Sequence, residues 1–382
     1  MRVRQWRVTG AGDAGSAASG LQAETADLVL VFGAVELFGE PGLLRSLQQA
    51  APGNRWAGCS TAGEIAGALV YDHSLVLTAL NFEHEDSCVR MVTTHLADMA
   101  DSQAAGQRLG QSLLASGLRA VLLLGLGVAI NGSALVAGLK SELDGGVQIS
   151  GGLAADAGAF KQTWTLCDSS IDEHQIVAIG LYGSQLLLDN SSFGGWEPFG
   201  PERKVTRSKE NVLYELDQER ALDIYQRYLG DYARDLPGSG LLFPFEMLGA
   251  DRKSHGVIRT MLAFDQTDGS LTLAGDIDPQ GYLKLMHAST DRLIEGAEKA
   301  AEAIAQARSP DSQTLAVLVS CVGRRLVMGD RVDEELEAVV EILGANTVST
   351  GFYSNGEISE TASHSECRLF NQTMTITLIG ER

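Results

Sequence analysis

Apolar positions in this chain fall into short unbroken runs that alternate with stretches of helical spacing, and one such order recurs. Residues 28–32 form a run suited to a strand buried on both faces, Leu43, Leu44 and Leu47 then share one helical face, and after a glycine-rich loop a second run covers 74–80. Near the other end the order repeats: 314–321, then Leu336, Val339, Val340 and Leu343 on one face, a loop, then 373–379. The loops are Gly58-Cys59-Ser60-Thr61-Ala62-Gly63-Glu64-Ile65 and Gly351-Phe352-Tyr353-Ser354-Asn355-Gly356-Glu357-Ile358, both Gly-x-x-x-x-Gly-Glu-Ile. A third, degenerate copy lies between them: 120–124, a helix with Leu135, Leu139 and Leu143 aligned, Gly151-Gly152, and a return run over 175–182. Asp156 stands there in the place of the second glycine.

The pattern predicts an α/β (α+β) protein of two domains, built from repeated strand-helix-loop-strand units around mixed sheets. Residues 193–311 do not fit the repeat, so a solenoid is not expected. Residues 1–25, with Gly, Ala and Ser concentrated in 10–20, read as a mobile lead-in, and 193–202 as a Gly/Pro-punctuated bridge. Beyond the bridge a strand over 212–216, a helix over 221–229, a strand over 271–274 and a long helix over 283–307 are expected. The boundary falls near Leu216, giving an N-terminal domain of 26–215 and a C-terminal domain of 216–382.

At 382 residues with 45% hydrophobic content the chain can supply proper cores. No apolar run is long enough to span a bilayer and the start lacks a signal-peptide core, which points to the cytoplasm without membrane insertion. Five cysteines without a Cys-x-x-Cys pair argue against a disulfide framework or a structural zinc site. A net charge of −20 disfavours phosphate backbones and anionic lipid, so nucleic acid is not an expected partner.

Gly58-Cys59-Ser60 invites comparison with a nucleophile elbow, but the repeat places Phe352 where Cys59 sits, so the shared property is backbone shape. The reading is therefore a tight turn lining a pocket, with no catalytic residue assigned; a Cys59- or Ser60-dependent enzyme is the alternative from another class. Residues that differ between copies, Cys59 and Ser60 against Phe352 and Tyr353, with Gly152 in the third, are candidate ligand contacts. Asn131 precedes the Leu135 helix as a natural cap beside N–H groups that could hold an anion. Arg324 and Arg325 follow a strand that ends at Cys321, where paired guanidiniums could clamp a carboxylate or a haem propionate. Glu64 and Glu357 are expected to bond nearby backbone N–H groups. No histidine pair has ligand spacing; His287, in an apolar stretch read as helical, is the single candidate for an axial haem ligand.

These strings, with Ser192-Phe193-Gly194-Gly195-Trp196, Ala221-Leu222-Asp223-Ile224-Tyr225, Ser320-Cys321-Val322-Gly323-Arg324-Arg325 and Asn371-Gln372-Thr373-Met374-Thr375, resemble the FIST family over nearly the whole chain from about Ala26. The resemblance implies a small-molecule sensor with N- and C-terminal FIST domains that works with signalling partners. One bacterial branch of similar length responds to nitric oxide through haem and regulates histidine kinases or cyclic-dinucleotide enzymes, here through a separate partner; a homo-oligomer fits this reading. Relatives often carry His before the Asn-Gln-Thr-Met-Thr segment, where this chain has Phe370, which cannot ligate iron. Asn371 joins the candidate ligand contacts. The alternative within the family is a sensor of an amino acid or other small metabolite without haem.

Overall fold

The computed structural model describes residues 1–307, 312–361 and 364–382. Three units with the same wiring form a ring. In the first, strands lie in the order Arg2–Val8, Leu75–Asn81, Leu28–Ala34, Trp56–Thr61; in the second, Cys88–His95, Gln175–Tyr182, Leu118–Gly125, Gln148–Leu153; in the third, Leu186–Phe193, Met374–Glu381, Thr314–Cys321, Thr347–Ser354. The last two strands of each are parallel and joined through helix, and the other neighbours are antiparallel. The recurring apolar order is thus a mixed α/β unit in three copies.

The hairpin that follows the fourth strand of each unit pairs with a different unit. Glu64–Ala66, from the first, adds to Thr347–Ser354 of the third. Gly356–Thr361, from the third, adds to Gln148–Leu153 of the second. Thr165–Cys167, from the second, adds to Trp56–Thr61 of the first. Each unit therefore lends two strands and borrows two, and the exchange closes the ring.

One glycine per unit permits its parallel pair. A Cβ on Gly58, Gly151 or Gly351 would lie 1.8, 2.0 or 1.8 Å from the carbonyl oxygen of Val31, Leu123 or Leu318 in the neighbouring strand. Gly151 thereby marks the degenerate copy as a true one. Asp156, in the second-glycine place, accepts the backbone N–H groups of Phe160, Lys161 and Gln162 at 2.8, 2.6 and 3.0 Å and winds its loop tight.

The inner faces of the three sheets meet in one core: Phe32 and Cys59 from the first unit, Leu122 and Val177 from the second, Val317 and Phe352 from the third. Phe32 and Phe352 approach to 4.7 Å between ring centroids. Strands buried on both faces explain unbroken apolar runs. Outside lie the helices Gly42–Ala50, Gly132–Ser141 and Asp333–Leu343, which bury Leu44 and Leu47, Leu135 and Leu139, and Leu336, Val339 and Leu343. Each such leucine contributes about 2 kcal/mol by leaving water.

Residues 194–289 are inserted within the third unit and build a nine-stranded antiparallel sheet, covered by the helix Ala221–Leu229. The expected strand over 212–216 is Val212–Leu216 and the expected helix is Ala221–Leu229, so Leu216 ends a strand inside this sheet.

Two expectations are corrected. The lead-in is the strand Arg2–Val8 and the helix Ala11–Gln22. Its small residues let the helix sit close on the sheet, with Gly20 against the Trp6 ring and Ala17 and Leu21 buried. The long helix over 283–307 is instead the strand Tyr282–His287 followed by the helix Thr290–Ile304, capped by Ser289. Leu283 and Leu285 alternate with Lys284 at period two, and His287 ends the strand beside Phe199, 5.7 Å away between rings.

Candidate ligand cleft

A cleft of about 990 Å³ opens between the second unit and the inserted sheet. One wall is the turn at 127–132, where the strand Leu118–Gly125 gives way to the helix Gly132–Ser141, together with 158–160 from the Asp156 loop. Ligands favour such places, beyond the carboxyl end of a strand and before a helix N-terminus. The opposite wall comes from the inserted sheet and its turns, including Leu241, Met261, Leu273 and Asp276. Asn355, Leu369 and Asn371 of the third unit complete the lining.

The backbone of this lining is held in uncommon conformations. Ala129, Phe160 and Glu210 all have φ between 52° and 55°, in the left-handed region that costs a residue with a Cβ about 1–2 kcal/mol. Asp156 pins Phe160, and Thr163 Oγ1 accepts the Gly127 N–H at 2.9 Å. Strain of this kind gathers where a surface is shaped for a ligand.

Polar groups converge from both walls. Asn131 caps its helix by accepting the Ala134 N–H at 3.0 Å, and its amide donates across the cleft to Asp276 Oδ1 at 3.2 Å. Arg259, 6% exposed, donates to the carbonyls of Leu369 and Asp276 at 3.1 and 3.3 Å and to Ser133 Oγ at 3.4 Å, tying the two walls together behind the lining. Burial pulls its guanidinium down to about 10, so it remains charged at neutral pH. Asn355 donates to the Gly127 carbonyl at 3.2 Å, which fixes the amide orientation and leaves Oδ1 buried without a partner among the described residues. Asn371 is 1% exposed and its Oδ1 is likewise unpartnered among them. Each such acceptor costs about 1–3 kcal/mol while it stays unmet.

The candidate contacts read from the sequence divide into two groups. Asn131 and Asn371 line the cleft. Cys59, Ser60, Gly152, Phe352 and Tyr353 are buried where the units meet, away from this lining. Burial pushes the Cys59 thiol well above its usual range, which opposes thiolate formation. Ser60 Oγ donates to the Ala155 carbonyl at 2.8 Å and accepts the Trp164 N–H at 3.0 Å, joining the first and second units. A Cβ on Gly152 would press on Val319 at 2.6 Å. Arg324 is fully buried, paired with Glu335 at 2.7 Å and donating to the carbonyls of Gly194 and Leu293, so its donors are committed. Arg325 pairs with Asp72 at 2.6 Å and thereby ties the third unit to the first.

Asn355 belongs to the loop at 351–358, in the third unit, but the sequence pattern does not single it out. A signal exists: the other two copies have Ala62 and Ala155 at its place, so a polar side chain there is the exception.

Haem coordinated by His287 does not fit this cleft. His287 is outside the lining, and no histidine, cysteine or tyrosine is among the described residues that form it. Phe370, at the place where relatives carry histidine, packs in the core of the inserted sheet.

Residues 27–219 match the family model of the FIST N domain, and residues 221–360 that of the FIST C domain. No curated protein matches the chain. Among solved structures, the crystal structure of cyanuric acid hydrolase from A. caulinodans is similar at 9% identity and a TM-score of 0.37, covering 100% of this chain and 99% of that one.

Proposed function

The chain belongs to the FIST family, a family of sensory, ligand-binding domains, and on that premise we propose that it senses a small organic metabolite, an amino acid or a relative of one, held in the cleft between the second unit and the inserted sheet. The observation that carries this reading is a cavity large enough for a ligand, shaped by strained backbone and lined by Asn131, Asn355, Asn371 and Asp276. A native fold retains such a cost where a ligand offsets it.

The cleft also suggests how binding becomes a signal. Its walls belong to two bodies, the ring and the insertion, and a ligand that touches both favours one angle between them. A separate signalling protein, such as a histidine kinase, would read that angle. The contacts across the cleft are Asn131 to Asp276 and Arg259 to Leu369 and Ser133, while Phe370 and the hydrogen bonds of Gln372 to Leu241 and Thr260 anchor the insertion to the ring and would act as the pivot.

The test is a thermal-shift screen of metabolites, amino acids included, against the natural protein and an Ala134→Trp, Leu273→Trp double variant whose indoles obstruct the cleft from both walls. At a hundredfold excess over Kd a ligand stabilises by about 2.7 kcal/mol, a readable rise in Tm. Hits on the natural protein that vanish in the variant support the reading. A flat screen, or hits indifferent to the obstruction, would sink it.

A further inference from the structure

We infer that the ligand meets the cleft through a hydrogen-bond-donating, positively charged nitrogen on an apolar body, an organic amine in its ammonium form. The inference rests on the proposed use of this cleft and concerns which chemistry the cleft selects. Asn355 and Asn371 of the lining each hold a side-chain oxygen that is closed off from water and lacks a partner among the described residues, and a group that reaches either oxygen must bring a donor. The Asn355 orientation is no free choice, because turning the amide over would set its oxygen against the Gly127 carbonyl.

Charge points the same way. Two carboxylates, Asp276 and Glu210, face this space, and no lysine, arginine or histidine is among the described residues that line it. Asp276 receives the Asn131 amide on Oδ1, which leaves Oδ2 for a ligand. Arg259 sits behind the lining, its donors turned to Leu369, Asp276 and Ser133. It balances Asp276 without presenting a cation to the cavity. An anionic ligand would therefore meet two carboxylates and no facing cation, whereas an ammonium finds a carboxylate to pair with.

The rest of the surface fixes the body of the ligand. Ile130, Leu241, Met261 and Leu273 line the interior, and Met99, Phe160 and Leu262 stand exposed at the rim. Large apolar side chains left in water around an enclosed polar spot suit an amphiphilic molecule with a single charged end. The inferred class is an alkyl or arylalkyl amine; an amino acid qualifies only where its carboxylate stays away from Asp276.

The experiment is calorimetric titration at pH 7.5 of the full chain with 2-phenylethylamine, the acid 3-phenylpropionate and the neutral 3-phenylpropanamide, which has the acid's shape without its charge. The amine is expected to bind at least tenfold more tightly than the acid. Asn371→Leu is expected to lose at least tenfold of the amine affinity while its unliganded Tm does not fall, since the change removes an unmet buried acceptor. Asp276→Asn, which keeps the shape and the contact to Asn131, is expected to weaken the amine about tenfold and leave the amide unchanged. Equal binding of acid and amine, no binding of the amine, or an amine affinity indifferent to both substitutions would overturn the inference. The sensor reading is separable: acids or sugars that stabilise the natural protein and not the Ala134→Trp, Leu273→Trp double variant would preserve it while removing the amine.

Discussion

Glu357 occupies in the third unit the place that Glu64 occupies in the first, and each accepts the hydroxyl three residues before it, Ser354 and Thr61, at the same 2.7 Å. Their second oxygens meet hydroxyls at the start of the returning strand: Ser74 at 2.8 Å for Glu64 and Thr373 at 2.9 Å for Glu357. Hydroxyls thus replace most of the backbone donors expected from the sequence, although Glu357 also accepts the Thr373 N–H at 3.1 Å. The pair fixes two of the three loops that carry the exchanged hairpins.

These carboxyls set a pH dependence of stability. Burial, as the leading cause, raises both to about 7. The folded state then holds protons that the unfolded chain releases near the ordinary value of 4.5. With more protons bound in the folded state, unfolding free energy falls as pH rises from about 4.5 to about 7, and the contribution is complete only below that window. Each group accounts for a loss on the order of 3 kcal/mol. Urea unfolding at pH 5 and pH 7.5 is expected to show a smaller difference in the Glu64→Gln, Glu357→Gln double variant; an unchanged difference would assign the slope to other groups.

Arg324 and Glu335 form a fully buried ion pair, and Glu335 also accepts the hydroxyls of Ser320, at 3.0 Å, and Tyr353. Removing one charge strands the other in an apolar setting. Glu335→Gln is expected to lower stability by about 3 kcal/mol or more, whereas replacing both, as Arg324→Met with Glu335→Leu, is expected to cost less than the single change. Chemical unfolding midpoints decide it. A double variant worse than the single would mean that the links to Gly194 and Leu293 outweigh the ion pair.

The three copies are legible in the sequence because each parallel pair brings a strand backbone against a neighbour's carbonyl, and only glycine fits at 58, 151 and 351. The exchange of hairpins is not legible. Glu64–Ala66 pairs with a strand nearly three hundred residues away, and nothing in its three residues names that partner. Local pattern also fails where packing overrides it: Ala17 and Leu21 anchor a helix poor in large apolar residues, and Tyr282–His287 alternates at period two inside a stretch whose far end is truly helical. Of the cleft, the sequence names Asn131 and Asn371, and the fold brings them together across 240 positions of chain.

The cysteines discriminate between a sensor and a thiol enzyme. Cys88 is exposed, Cys167 half-buried, and Cys59, Cys321 and Cys367 are buried with thiols raised by loss of solvent. Iodoacetamide on the native protein, read by peptide mass spectrometry, is expected to modify Cys88 first and Cys167 more slowly. The three buried cysteines should react only after unfolding. Cys59 reacting as fast as Cys88 would reopen the catalytic reading.

Two glycine-to-alanine changes of opposite sign test the ring and its first helix together. At Gly151, with φ of 134°, the added methyl would stand 2.0 Å from the Leu123 carbonyl oxygen, a backbone atom that cannot move without spreading the parallel pair. Gly151→Ala is therefore expected to cost about 3 kcal/mol or more and to lower Tm by several degrees. Gly15 lies inside the helix Ala11–Gln22, and a methyl added there would have no neighbour within 4 Å. At that position alanine removes the entropy that glycine loses on becoming helical, so Gly15→Ala is expected to stabilise by about 0.5–1 kcal/mol. Differential scanning calorimetry separates the outcomes. A neutral Gly151→Ala would contradict the third copy, and an indifferent Gly15→Ala would return residues 11–22 to the status of a loose lead-in.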